Sequence, residues 1–107
     1  SVPHADAAHA AGRAALLVAA LIGVQQDGLL LPATEDRLHQ GYREPAMPAT
    51  LALVTALRSA GLAAVVSGAG PTVLVLATGQ APVVTAPAWW RVLTLDPDRA
   101  AASVVVA

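Results

Sequence analysis

Ser67-Gly68-Ala69-Gly70-Pro71-Thr72 decides the fold, because this hexapeptide joins two short apolar runs, Ala63–Val66 and Val73–Ala77. Two such runs connected by small residues predict a pair of strands with a glycine loop between them. Gly68 and Gly70 can adopt positive φ and leave their N–H groups open, which favours a concavity that accepts an anion such as phosphate. The same glycines also suit a tight strand connection that binds nothing. The hexapeptide alone leaves both interpretations open.

Three helices are predicted upstream of this loop. The first covers residues 4–21 and is apolar around most of its girth, so we expect it to be buried on two sides. The second is a short polar helix over residues 34–40, with Thr34 as its N-cap and Gly41 as its end. The third covers residues 48–60, with proline at its first position and rows of leucine, valine and alanine facing inward.

The second half of the chain has strand-like patterns. We predict strands at Ala63–Ser67, Thr72–Ala77, Trp90–Leu95 and Ser103–Ala107, with a proline-rich loop at Gln80–Ala88. Helices therefore come first and strands after. This order predicts an α+β fold in which an antiparallel sheet has helices packed on one face.

The composition limits the domain count and the class of partner. A length of 107 residues allows one domain, predicted to span residues 1–107. Hydrophobic residues make up 56% and charged residues 12%, so we expect a neighbouring domain or subunit to cover part of the surface. The cations are scattered arginines with no basic patch, which argues against nucleic acid as a partner. The apolar run Ala14–Val24 is too short to span a membrane, and the absence of cysteine fits a cytoplasmic setting.

Several classes of catalytic site do not fit the sequence. A P-loop needs a lysine, which the chain lacks, and a Rossmann loop would lead into a helix, whereas Pro71 and a strand follow these glycines. His4 and His9 are five residues apart and His39 is remote, so we expect no metal site. Ser67 lies in no nucleophile elbow.

Two other segments have chemistry to offer. The charged run Glu35–Pro45 contains Arg43, whose guanidinium fork matches a carboxylate or phosphate, although such a run is also typical of a solvated turn. The pair Trp89-Trp90 is more typical of core or interface packing than of a binding site.

Taken together, the segments Leu31–Arg43 and Val66–Leu74 resemble the C-terminal part of the homoserine kinases, which belong to the GHMP small-molecule kinase superfamily. The run His4–Ala7 with Gly12–Leu17 resembles the helix that opens the C-terminal domain of that family. Two residues depart from the family pattern: Gly41 stands where proline is common, and Gly12 stands where a polar residue is more usual.

The resemblance implies a ferredoxin-like C-terminal domain and a role in threonine biosynthesis. The implied reaction is ATP-dependent phosphorylation of the side-chain hydroxyl of L-homoserine, with Mg²⁺ accompanying the nucleotide. Arg43, together with Tyr42, would then contact the amino acid substrate, with the arginine holding its carboxylate. Residues 67–72 would be the glycine loop beside the phosphates. The catalytic residues would lie upstream of this chain.

The superfamily's own nucleotide-binding loop belongs to an N-terminal domain, and no segment here resembles it. We therefore expect that domain to be the principal partner and this chain alone to be inactive as a kinase, with homodimerisation left open. Two alternatives remain. One is a GHMP kinase acting on another small alcohol, and the other is a non-catalytic α+β module that binds amino acids or mediates oligomerisation.

Overall fold

The computed structural model describes residues 1–23 and 28–98, together with residues 100 and 104. Four helical elements precede two strands. In chain order they are α1 (His4–Leu21), α2 (Leu30–Ala33), the 3-10 helix η1 (Gly41–Ala46), α3 (Pro48–Ser59), β1 (Ala63–Val66) and β2 (Val73–Leu76). Helices and an antiparallel sheet make the fold α+β, as predicted.

The strands β1 and β2 form an antiparallel hairpin in which Ala64 pairs with Val75 and Val66 pairs with Val73. Because side chains alternate along a strand, these four residues share one face of the hairpin. Helix α3 packs on that face, and its Leu53 and Leu57 form the buried core with Ala64. The hairpin and α3 are therefore the unit against which the rest of the described chain is placed.

The predicted bounds of α1 are confirmed, but the prediction that it is buried on two sides is wrong. None of its residues is buried, and its partly covered positions form one stripe that includes His9, Arg13 and Leu17. The physical reason is composition, since alanine makes a helix look apolar all round yet loses little when it stays in water. None of the helices described is long and apolar enough to cross a membrane.

A small ionic cluster joins α1 to the segment after α2. Glu35 Oε2 lies 3.1 Å from Nε2 of His9 and 3.4 Å from Arg13 NH2. Arg13 Nε also lies 3.1 Å from the same Nε2 atom, which can accept from Arg13 or donate to Glu35 but cannot do both at once. Nδ1 of His9 is buried without a hydrogen-bond partner. These polar contacts thus help to hold α1 against the segment after α2.

The prediction for residues 34–40 is wrong, whereas the third helix is confirmed over Pro48–Ser59. Thr34 ends α2 instead of starting a helix, and its hydroxyl donates to the carbonyls of Leu30 and Leu31. Threonine can cap a helix start or bond back into the preceding turn, and here the second arrangement prevails. Gly41 opens η1 rather than ending a helix.

The two strands that flank the glycine loop are confirmed, each within a residue of the prediction. The prediction of a strand at Trp90–Leu95 is wrong: this segment has no regular structure, and Trp90 N–H closes a turn onto the carbonyl of Pro87. Strand pairing needs a partner edge, and a favourable local pattern does not supply one. The predicted strand Ser103–Ala107 lies outside the described residues, apart from Val104.

Arg58, in the last turn of α3, connects three elements through one guanidinium group. Its NH1 atom donates to the carbonyl of Thr34 at 3.3 Å, to the hydroxyl of Thr34 at 2.8 Å and to the carbonyl of Ala64 at 3.1 Å. Its NH2 atom donates to the carbonyl of Leu31 at 2.6 Å. A planar fork with five donors suits such a junction, so Arg58 fixes α2 against α3 and β1.

We expect Arg58→Met to lower the free energy of unfolding by about 2–4 kcal/mol, because several half-buried oxygen atoms lose their only charged donor. Urea unfolding of the variant measures the change. Arg37→Met is the matched control, since Arg37 is exposed, and it should change stability by less than about 0.5 kcal/mol. Equal losses in the two variants would contradict the role assigned to Arg58.

Candidate functional site

A surface pocket of about 420 Å³ lies between the segment that follows α2 and the start of the glycine loop. The first of these contributes acidic, basic and neutral polar side chains. The hairpin contributes apolar strand residues and the backbone of the loop. The lining residues are Asp36, His39, Gln40, Arg43, Val65, Val66, Gly68 and Ala69. Two stretches separated by more than twenty residues in sequence therefore meet at one place.

The segment after α2 forms the first wall of the pocket, and the carboxylate of Asp36 orders it. Its Oδ1 accepts from the N–H of Leu38 at 3.1 Å, and its Oδ2 accepts from the N–H groups of His39 and Gln40 at 2.9 and 2.6 Å. Burial raises the pKa of Asp36, but the hydrogen bonds from these three backbone groups outweigh it, with a smaller contribution from His39, and the pKa lies below the ordinary 3.8. Asp36 is thus a cap for the turn, and its carboxylate is ionised at neutral pH.

The same turn places Arg43. Its N–H donates to the carbonyls of His39 and Gln40 at 3.2 and 3.1 Å, so the backbone of Arg43, in η1, is bonded to the end of the capped segment. The side chain of Gln40 extends to β1, where its Oε1 accepts from the N–H of Val66 at 2.6 Å. The first wall is therefore attached to β1 beside the glycine loop.

The glycine loop has its own internal hydrogen bonds. The N–H of Ser67 donates to the carbonyl of Thr72 at 2.8 Å, and the N–H of Gly70 donates to the carbonyl of Ser67 at 3.0 Å. Gly68 and Gly70 both have positive φ, of 58° and 80°. The N–H groups of Gly68 and Ala69 take no part in these two bonds and belong to residues that line the pocket.

The base of the loop is anchored from behind. The buried hydroxyl of Thr50, in the first turn of α3, donates to the carbonyl of Pro71 at 3.1 Å. A Cβ atom on Gly70 would lie 2.7 Å from the Sδ atom of Met47 and 3.1 Å from Cγ1 of Val66. A side chain at position 70 would therefore require Met47 to move its flexible end and Val66 to yield slightly, and it would also be strained by the positive φ.

The structure brings together part of the set of residues that the sequence singled out. Arg43, Gly68 and Ala69 line one pocket, whereas Tyr42 is 74% exposed and is not among the lining residues. The remaining loop residues shape the loop without lining the pocket. They are Ser67, Gly70, Pro71 and Thr72. The role of each of these residues in binding remains a prediction.

Three polar lining residues were not assigned to the site from the sequence: Asp36, His39 and Gln40. Their spacing carries a local signal, because an aspartate followed by free N–H groups two to four residues later is typical of a capped turn. The contact from Gln40 to Val66 spans 26 residues and has no such signal.

The pocket suits an anion better than a divalent cation. Arg43 offers a guanidinium fork and the loop offers backbone N–H groups, which both recognise carboxylate or phosphate oxygens. The carboxylate of Asp36 is already engaged by three N–H groups. Within the described part of the chain, no group of three or more histidine, cysteine, aspartate or glutamate side chains is placed to hold a metal ion. We therefore assign no metal step to these residues.

A glycine loop in a hairpin with an arginine on the opposite wall of a pocket is an arrangement that fits a small-molecule kinase domain. Residues 7–89 match the family model described as GHMP kinases C terminal. The chain belongs to this family.

Individual relatives narrow the comparison. The homoserine kinase of Streptomyces avermitilis is 69% identical over 77 residues, which are 72% of this chain and 25% of that protein. The homoserine kinase of Streptomyces coelicolor is 68% identical over 77 residues, or 72% of this chain and 24% of that protein. That of Rhodococcus erythropolis is 54% identical over 99 residues, or 89% of this chain and 31% of that protein. The chain spans about a quarter of the length of the Streptomyces relatives.

We expect Asp36→Ala to cost about 1 kcal/mol of stability at pH 7, as the loss of a capping carboxylate does elsewhere. Because the pKa of Asp36 is lower in the folded state, its contribution is fully present above the unfolded pKa and is lost as the pH falls through the folded value. The difference in the free energy of unfolding between wild type and variant should therefore be constant from pH 5 to 7 and should disappear as the pH falls below about 4. Urea unfolding across this range tests it, with the exposed Asp96→Ala as control.

Gly68→Ala and Gly70→Ala form a matched pair. Both substitutions place a side chain at positive φ, which costs about 1–2 kcal/mol. Only the one at position 70 meets other atoms, and because Met47 can move aside, we expect it to be the more destabilising by about 1 kcal/mol. Chemical unfolding of both variants gives the comparison, and equal losses would count against the packing constraint from Met47.

Proposed function

We propose that this chain is the C-terminal part of a homoserine kinase, which transfers the γ-phosphoryl group of ATP to the side-chain hydroxyl of L-homoserine. The observation that carries the proposal is the meeting of Arg43 with Gly68 and Ala69 at one pocket. A cation for an amino acid carboxylate and amides for phosphate oxygens are the two features that the reaction needs from this domain. The 54–69% identity to homoserine kinases supports the choice of substrate.

Arg43 would bind the α-carboxylate of homoserine. Its fork pairs with both carboxylate oxygens, which fixes the orientation of the substrate as well as its position. Tyr42 precedes it in η1 and is exposed outside the pocket lining, so its contact with the substrate stays a prediction. The hydroxyl at the other end of the substrate would then point toward the glycine loop.

The glycine loop would face the phosphoryl group during transfer. Negative charge spreads over the oxygens of that group in the transition state, and fixed N–H donors stabilise it without rearrangement. Gly68 and Ala69 are the loop residues on the pocket wall, and their N–H groups would be such donors. Their position is held by the two internal loop bonds and by Thr50, so the donors are organised before the substrate arrives.

The rest of the reaction belongs to other parts of the enzyme. ATP with its Mg²⁺ would be held mainly by an N-terminal domain, which we propose as the covalent partner of this one. The catalytic residues would also lie there. A cytoplasmic location and threonine biosynthesis follow from the proposed activity.

A coupled ATPase assay on the longer protein that contains this chain tests the proposal. Formation of phosphohomoserine that depends on ATP, Mg²⁺ and L-homoserine is the expected result. Preference for galactose or for a mevalonate-type alcohol would replace homoserine with another GHMP substrate. Amino acid binding without any nucleotide-dependent turnover would favour a binding module instead.

Arg43→Ala should raise the KM for homoserine by about 10- to 100-fold, because one bidentate contact to the substrate carboxylate is lost. The KM for ATP should change little. Steady-state kinetics with each substrate varied in turn gives both values. Arg37→Ala serves as control, since this exposed arginine lies six residues upstream and outside the pocket lining. An unchanged KM for homoserine in the Arg43 variant would falsify the assignment.

A further inference from the structure

We infer that Gln40 is a positioning residue for the phosphoryl transfer, because its side chain attaches the turn that bears Arg43 to the strand that leads into the glycine loop. This inference rests on the proposed function and adds a residue to which neither the resemblance nor the comparisons give a role. It concerns the distance between the two walls of the pocket and not a contact with substrate.

The first part of the argument is the direction of the Val66 N–H. Neighbouring N–H groups along a strand point to opposite edges. The N–H of Ser67 donates across the hairpin to Thr72, so the N–H of Val66 points to the other edge of β1, away from β2. A backbone donor left without an acceptor in a half-buried strand is costly, and Gln40 Oε1 supplies that acceptor at 2.6 Å.

The second part is the main chain of Gln40. Its N–H is held by the carboxylate of Asp36 at 2.6 Å, and its carbonyl accepts from the N–H of Arg43 at 3.1 Å. The backbone of Gln40 is thus built into the turn that bears Arg43, while its side chain ends two residues before Gly68. One residue connects both walls of the pocket.

The connection matters because the two walls would bind opposite ends of one small substrate. A misplacement of about 1 Å between groups that orient a substrate can cost about 100-fold in rate. Arg43 lies on a short 3-10 helix outside the hairpin core, so the contact from Gln40 to Val66 is a direct constraint on its distance from the loop.

The experiment compares Gln40→Met with Gln40→Glu in the longer kinase that contains this chain. Methionine has a similar length and no acceptor oxygen, and we expect kcat/KM for homoserine to fall about 10- to 100-fold. Glutamate keeps an acceptor at the same reach, so it should leave the exchange of the Val66 amide within about threefold of wild type. Its negative charge on the wall of an anion pocket should itself lower kcat/KM, so its kinetics are not the control. Gln80→Met makes the same chemical change at an exposed loop position outside this pocket and should leave the kinetics unchanged.

A double-mutant cycle separates positioning from general stability. If Gln40 acts by placing Arg43, then Gln40→Met should change the KM for homoserine by less than about twofold once Arg43 is alanine. Additive effects in the double variant, wild-type kinetics in Gln40→Met, or fast exchange of the Val66 amide in Gln40→Glu would each overturn the inference.

The hydrogen-exchange rate of the Val66 amide, followed by NMR in the same protein, distinguishes a failure of the proposed function from a failure of the inference about Gln40. Gln40→Met should accelerate this exchange at least about 10-fold relative to Gln80→Met, because the amide loses its acceptor. A wild-type protein that does not phosphorylate homoserine would overturn the proposed function, while slow exchange in Gln40→Met would overturn the attachment itself.

Discussion

The guanidinium group of Arg58 is the interaction on which the rest of this structure depends. A helix of four residues such as α2 cannot persist by itself, since its few hydrogen bonds do not offset the cost of nucleation. Arg58 supplies donors to the carbonyls at the end of α2 and to β1 at the same time, so α2 ends at a fixed distance from the hairpin. The turn capped by Asp36 begins two residues after Thr34, which the same arginine binds. The first wall of the pocket is therefore held in place by Arg58, which does not itself line the pocket.

Local signals in the sequence were sufficient for the elements whose stability is also local. The third helix begins with proline at Pro48 and ends before Gly61, and the hairpin is marked by glycines between apolar runs, so both could be predicted within a residue or two. The segment after Thr34 could not, because the threonine hydroxyl had two competing local partners, and the bond that it accepts from Arg58 comes from 24 residues further along the chain. Trp90 was assigned to a strand for its local pattern, yet it packs on the core from a turn.

For the site, residue chemistry was predictable and distance was not. A guanidinium fork at Arg43 and amides near Gly68 follow from residue type, and the structure places both at one pocket. The contact that sets their separation, from Gln40 to Val66, joins residues far apart in sequence and is visible only once the chain is folded. Gly70 gives a second example, because the atom nearest to where its Cβ would lie belongs to Met47, which is 23 residues upstream.

The low burial of α1 has a consequence for the order in which parts of the domain unfold. The helix contains no buried residue, and Val18 and Leu21 are 59% and 60% exposed, so little apolar surface resists its departure. Its ionic contacts with Glu35 are screened by salt, unlike the packing of α3 on the hairpin. Partial unfolding would thus release α1 as a unit before the core opens, and higher ionic strength would make this opening somewhat more frequent.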